Sequence, residues 1–161
     1  MRVAIITLSD SGYAGQREDK SGPVIRALTE AAGYETVHTA LLPDGVEPLS
    51  SELKHLCDED LADLVLTTGG TGFSPTDLTP EATLSVVERP APGIAEAMRY
   101  NSLQITPRAM LSRAAAGIRK KTLIVNLPGS PKAVRECLEF ILPSLGHGLE
   151  ILRGTAGECA R

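Results

Sequence analysis

The chain has no tryptophan and only three tyrosines and two phenylalanines in 161 residues. Proteins that track single-stranded nucleic acid stack bases on aromatic platforms, and too few rings are available for that here. Cysteine is scarce too: Cys57, Cys137 and Cys159 are odd in number and far apart. That excludes a disulfide framework and fits a reducing compartment, so a cytoplasmic location is expected. Cys57 and Cys137 fall on apolar helical faces, where burial is the expected role. Cys159 lies in a polar tail. No apolar run approaches the roughly 20 residues that cross a bilayer, and residues 1–6 lack the apolar length and cleavage site of a signal peptide.

Several catalytic devices are missing as well. The Walker pattern Gly-x4-Gly-Lys-Ser/Thr does not occur, and Gly70-Thr71-Gly72 lacks the third glycine of a dinucleotide fingerprint because Pro75 stands in its place. Gly-x-Ser-x-Gly is absent, which disfavours an α/β-hydrolase nucleophile. His38, His55 and His147 are isolated, and no His, Cys and acid set has zinc spacing.

Charge is unevenly placed. The net charge is −4, yet from Ala97 to Arg135 there is no acid, and Arg99, Arg108, Arg113, Arg119, Lys120, Lys121, Lys132 and Arg135 fall there. An acidic chain with one basic sector is a poor wrapper of nucleic acid, but it suits a small anionic ligand approaching one side.

What is present alternates between strand and helix. Residues 2–8 read as a buried strand, and a helix follows from about Ser21 to a stop at Gly33. Residues 34–42 form a second strand, and Val46, Leu49, Leu53, Leu56 and Cys57 have helical spacing. A strand over 61–66 leads into a glycine-rich loop, and a helix starts at Thr79-Pro80-Glu81 with Thr79 as N-cap. A helix is expected over 93–103, then two strand-like pieces between 111 and 127. Val134, Cys137, Leu138, Ile141, Leu142 and Leu145 mark a last helix, interrupted by Pro143 or by Gly146 and Gly148. This alternation predicts a single α/β domain over 1–161: a three-layer sandwich with a mostly parallel central sheet and helices on both faces. The piece at 111–118 is its antiparallel candidate.

Ligand sites in open α/β sheets lie outside the carboxyl ends of the parallel strands. Four such exits follow Leu8, Leu42, Leu66 and Leu127. Their convergence gathers Ser9, Asp10, Asp44, Gly69, Gly70, Thr71, Asp77, Asn126 and Gly129. The loop Thr67–Asp77 is the richest of them, since successive N–H groups of a glycine turn can nest an anion. Asp44 and Asp77 have the chemistry to hold Mg²⁺ beside phosphates, because that ion favours one or two carboxylates plus phosphate oxygens. Turn and capping roles are open to both aspartates.

The run Thr68-Gly69-Gly70-Thr71-Gly72, continuing through Asp77-Leu78-Thr79-Pro80-Glu81-Ala82-Thr83, resembles the signature of the molybdopterin adenylyltransferases, the MogA and gephyrin-domain family. Further matches are Ser9-Asp10, Asp19-Lys20-Ser21-Gly22-Pro23, Pro43-Asp44, the segment 109–117 and Asn126-Leu127-Pro128-Gly129-Ser130-Pro131. The resemblance spans nearly the whole chain and implies a MogA-like fold. It also implies transfer of an adenylyl group from Mg-ATP to molybdopterin, with release of pyrophosphate. Asp44 and Asp77 are then the essential, metal-holding aspartates. Ser9, Gly69, Gly70, Thr71, Asn126, Pro128 and Gly129 would cradle the nucleotide, and Asp10, Ser112 and Arg113 would meet molybdopterin. Arg108, Arg113, Lys120 and Lys132 are candidates for its phosphate. The family further implies a homotrimer and hand-over to a molybdenum insertase; composition already speaks against a nucleic-acid or membrane partner. A MoaB-type relative and a non-catalytic molybdopterin-binding scaffold are the alternatives.

Overall fold

The computed structural model describes residues 1–157, so Cys159 lies outside the described residues. Strand β1 (Arg2–Leu8) is followed by a short helix α1 (Asp10–Tyr13) and by α2 (Ser21–Ala31). Then come β2 (Glu35–Leu42), α3 (Val46–Asp58), β3 (Leu64–Thr68), α4 (Thr79–Val86), a two-residue β4 (Arg89–Pro90) and α5 (Pro92–Leu103). A 3₁₀ turn (Pro107–Leu111), β5 (Ala116–Arg119), β6 (Thr122–Leu127) and α6 (Pro131–Arg153) complete the order.

The six strands form one sheet in the order β2-β1-β3-β6-β5-β4. Strands β2, β1, β3 and β6 run parallel, and β5 runs against them, paired antiparallel with β6 on one side and with β4 on the other. The expected mostly parallel sandwich is therefore the fold, with its antiparallel strand at 116–119 and a 3₁₀ turn before it. Sheet position explains the sequence patterns. Central strands covered on both faces must be apolar throughout, and β3 and β6 are buried at every residue. Strand β2 has a neighbour on one side only, and its residues alternate between exposed and half-buried at its start.

Two cores fill the two faces. Ile25 of α2, Ala95 and Met98 of α5, and Val134, Leu138 and Leu145 of α6 pack with Val3, Ile5, Leu64, Leu66 and Val125. Leu49, Leu53 and Leu56 of α3 and Ala82 and Val86 of α4 pack with Ala4, Ile6, Val65 and Ile124. Adjacent strand residues thus alternate between the cores, as the pleat requires. Each fully buried leucine on α3 stabilises the fold by about 1.5–3 kcal/mol relative to exposure.

The final helix departs from expectation. It continues through Pro143 and both glycines to Arg153 and ends at Gly154 with a left-handed φ of 72°. A proline inside a helix frees the carbonyl four residues earlier. Here that residue is the exposed Glu139, so water can satisfy the group, and Leu145 and Leu149 carry the buried stripe beyond the break. Caps also shift. Ser21 does not cap α2; Asp19 Oδ1 accepts from the N–H groups of Ser21 and Gly22 at 3.0 Å each. Thr79 does not cap α4 either, because its hydroxyl donates to Gly69 O at 2.9 Å.

Candidate active site

The chain turns one way from β1 to β2 and the other way to β3, so the topological switch lies between β1 and β3. The loops leaving these strands and β6 meet there. A cleft of about 520 Å³ opens at this point, lined by Ser9, Thr68, Gly69, Gly129 and the segment Arg17–Ser21. Ser9 is tied down at its floor: its hydroxyl accepts from Gly12 N–H at 3.0 Å, and its own N–H donates to Leu42 O at 3.0 Å. The turn after β6 is pinned from two sides. Thr68 Oγ1 donates to Pro128 O, and Ser21 Oγ donates to Gly129 O, both at 2.7 Å.

The glycine loop forms a ridge. Gly69 and Gly70 have φ of 95° and 66°, in the left-handed region where a side chain is strained. A Cβ on Gly69 would lie 2.3 Å from Leu8 O, and one on Gly70 would lie 2.3 Å from Thr79 Oγ1. These glycines therefore let the backbone fold against β1 and α4. Gly69 faces the first cleft, whereas Thr71 and Gly72 face a second cavity of about 310 Å³. That cavity is bounded by Met98, Arg99, Arg108, Leu111, Ser112 and Cys137 among others.

Carboxylates crowd the ridge. Asp10 and Asp44 clasp each other: Asp10 N–H donates to Asp44 Oδ2 and Asp44 N–H donates to Asp10 Oδ1, each at 3.0 Å. A Cβ at Gly70 would lie 3.4 Å from Asp44 Oδ1, and one at Gly72 would lie 2.9 Å from Asp77 Oδ2. Burial pushes the Asp44 carboxyl above its ordinary range; repulsion from Asp10 and Asp77 adds to this, and the Asp10 N–H opposes it. Among the described residues no three acids, histidines or cysteines form a metal cage. Crowded carboxylates with free lone pairs instead fit a cation that completes its shell with phosphate oxygens, as Mg²⁺ does.

Two expected ligand contacts take other roles. Asn126 is fully buried beneath the loops. Its amide nitrogen donates to Thr67 Oγ1 at 3.0 Å and Thr83 Oγ1 at 2.8 Å, and its Oδ1 accepts from Ala115 N–H at 3.1 Å. Its side chain fixes the floor of the site, with both amide N–H groups spent within the protein. Arg113 is similarly committed. It donates to the carbonyls of Gly72 and Asp77 and pairs with Glu81, whose carboxyl it holds below the usual range. Lys120 sits at the turn between β5 and β6, the opposite sheet edge, 3.5 Å from Asp58. It cannot reach the ridge. Ser112 and Arg108 do line the second cavity, and Lys132 is exposed at the start of α6. Asp19, Lys20 and Ser21 belong to a matched motif that carries no site role in the sequence, and Arg17 belongs to none; all four line the first cleft. Their signal was the polar loop before α2, whose path over the first cleft only the fold reveals.

Residues 4–147 match the family model described as a probable molybdopterin binding domain. The chain belongs to the molybdopterin-binding family. A molybdopterin adenylyltransferase of Helicobacter pylori is 40% identical over 156 residues, covering 96% of this chain and 89% of the relative. One from Haemophilus influenzae is 43% identical over 151 residues, covering 92% and 77%. The crystal structure of the molybdopterin biosynthesis enzyme MoaB from Thermus thermophilus superposes with a TM-score of 0.90 at 46% identity, covering 95% of this chain and 96% of that one. The match over residues 4–147 includes every element that builds the ridge.

Proposed function

We propose that this chain adenylylates molybdopterin with Mg-ATP. In the reaction a terminal phosphate oxygen of molybdopterin attacks the α-phosphorus of ATP. The bond from that phosphorus to the bridging oxygen breaks, and pyrophosphate leaves with the bonding electrons. The observation that carries the reading is the ridge: one glycine loop separates two cavities, and Asp44 and Asp77 flank it. Such a wall suits a group transfer between two substrates held on either side. The protein then supplies positioning and charge balance rather than a covalent intermediate.

In this reading the nucleotide takes the first cleft, with its phosphates near Gly69, Gly129 and the cationic side chains of Arg17 and Lys20. The pterin takes the second, against Met98, Leu111, Ser112 and Arg108. Mg²⁺ arriving with ATP would be held by Asp44 and Asp77 and would offset charge on the phosphates. Asp10 fixes Asp44 through their paired hydrogen bonds. The 161 residues work as one domain, as a homotrimer in the cytoplasm, and pass the adenylylated pterin to an insertase.

Incubation with molybdopterin, ATP and Mg²⁺ tests this directly by following pyrophosphate and adenylylated pterin. Product from the wild type, and a loss of at least about 100-fold in Asp44→Asn and Asp77→Asn, is the expected outcome. Undiminished product from both variants would refute the assigned aspartates, and no product from the wild type would refute the reaction. The likeness to a MoaB protein favours a second reading, in which the chain binds molybdopterin in a MoaB-type role. Saturable pterin binding without pyrophosphate release would select it.

A further inference from the structure

We propose that Arg113 is a positioning residue that straps the Asp77 loop to the ridge without touching either substrate. The kinetic part of this inference rests on the adenylyl-transfer reading; its structural part does not. Asp77 ends an excursion, Phe73–Thr76, whose four residues are all exposed. The hydrogen bonds inside that excursion are short-range: Asp77 N–H to Ser74 O and Ser74 N–H to Asp77 Oδ2, each at 2.9 Å. They shape the turn but do not tie it to the rest of the molecule.

Arg113 supplies the tie. Its backbone N–H donates to Thr71 O at 2.9 Å. Its Nε donates to Gly72 O at 2.7 Å, on the near side of the excursion, and an Nη donates to Asp77 O, on the far side. One N–H of each Nη also points to the Glu81 carboxylate on α4. One planar guanidinium thus joins both ends of the loop to a helix. Its own segment is held from behind, since Arg99 Nη1 donates to Ala114 O at 2.9 Å. The Glu81 carboxylate already balances the guanidinium charge, so the group acts through geometry. An ammonium has the charge, but its donors share one nitrogen and cannot span Gly72 O, Asp77 O and the Glu81 carboxylate as three separate guanidinium nitrogens do.

That difference defines the test. Arg113→Lys should lower kcat for adenylyl transfer by about 10- to 100-fold, as a displacement near 1 Å of a reacting group can, while changing KM for ATP and molybdopterin less than about threefold. Glu81→Gln should act in the same direction more weakly. Independently of activity, amide hydrogen exchange in the ligand-free protein should quicken at Ser74 and Asp77, whose N–H groups are hydrogen-bonded within the loop, in both variants and stay unchanged at Val65–Thr68. A wild type that transfers no adenylyl group would sink the proposed reaction, yet selective quickening of exchange would still support the strap. Unchanged exchange at the loop overturns the strap. So does recovery of kcat by lysine with a raised KM for molybdopterin, the signature of a phosphate-binding cation.

Discussion

Replacing Asn126 with alanine tests whether the site rests on a buried hydrogen-bonded floor. The wild-type amide makes three side-chain hydrogen bonds, to Thr67, Thr83 and the Ala115 N–H, and all three side chains at this point, Asn126, Thr67 and Thr83, are wholly buried. Truncation leaves the Ala115 N–H without its acceptor, at about 1–3 kcal/mol, and removes a donor from each hydroxyl, at about 1 kcal/mol apiece. The expected loss is about 4 kcal/mol, a large part of the 5–15 kcal/mol typical of a folded domain. With a urea slope of about 2 kcal/mol/M, the unfolding midpoint falls by about 2 M. Urea denaturation followed by circular dichroism measures it, and a fall below about 0.5 M would refute the floor. Asn126→Asp sharpens the test. Burial with no cation nearby raises the introduced carboxyl above its unfolded value, so protonation accompanies folding. The variant's deficit should therefore grow as pH rises from about 4 to 7, starting from the ordinary carboxylate value near 3.9. A deficit independent of pH would refute the burial argument.

Gly70→Ala meets both a left-handed φ and Thr79 Oγ1, so adenylyl transfer should fall by at least about tenfold while the thermal midpoint drops only a few degrees. Wild-type turnover in this variant would show that the ridge tolerates displacement. At the opposite sheet edge, hydrogen bonds from Arg153 first, and Arg2 after it, lower the Asp60 carboxyl to about 2 from 3.8. A lowered folded pKa gives stability that is complete above the unfolded value and disappears as pH falls toward the folded one. Asp60→Asn should therefore lower the thermal midpoint at pH 6 and converge with the wild type near pH 2. The Asp60 side chain is 55% exposed, so the gap should be small and should shrink further in 1 M salt. A gap that persists unchanged at pH 2 would contradict the linkage.

Much of the architecture was legible because it depends on local patterns. Apolar runs at 2–8 and 122–127 read as buried strands, and the spacing of Leu49, Leu53 and Leu56 reads as a helix face. The convergence of loops on one sheet edge followed from parallel topology alone. Where local rules misled, a tertiary partner had outbid them. Thr79 has an N-cap's chemistry, yet Gly69 O lies within its reach, and the hydroxyl went there. Pro143 carries a helix-breaking signal, but burial of Leu145 and Leu149 outweighs one missing hydrogen bond, at a turn where Glu139 is exposed.

Sequence alone therefore determined the fold class, the family and the chemistry available: a glycine loop, aspartates and a basic sector, all set by residue type and spacing. Tertiary structure decided which of those groups remain free. Asn126 and Arg113 carry the polar atoms of ligand-binding residues, but both amide N–H groups of Asn126 and four of the five guanidinium N–H groups of Arg113 are spent within the protein, on partners 32 to 59 positions away in the chain. Asp44 and Asp77 keep uncommitted oxygens beside the ridge, and Arg17 and Lys20 arrive at the first cleft through a loop whose path no periodicity records. The reason is that hydrogen-bonding capacity belongs to a residue, whereas its availability belongs to the neighbours that folding brings to it.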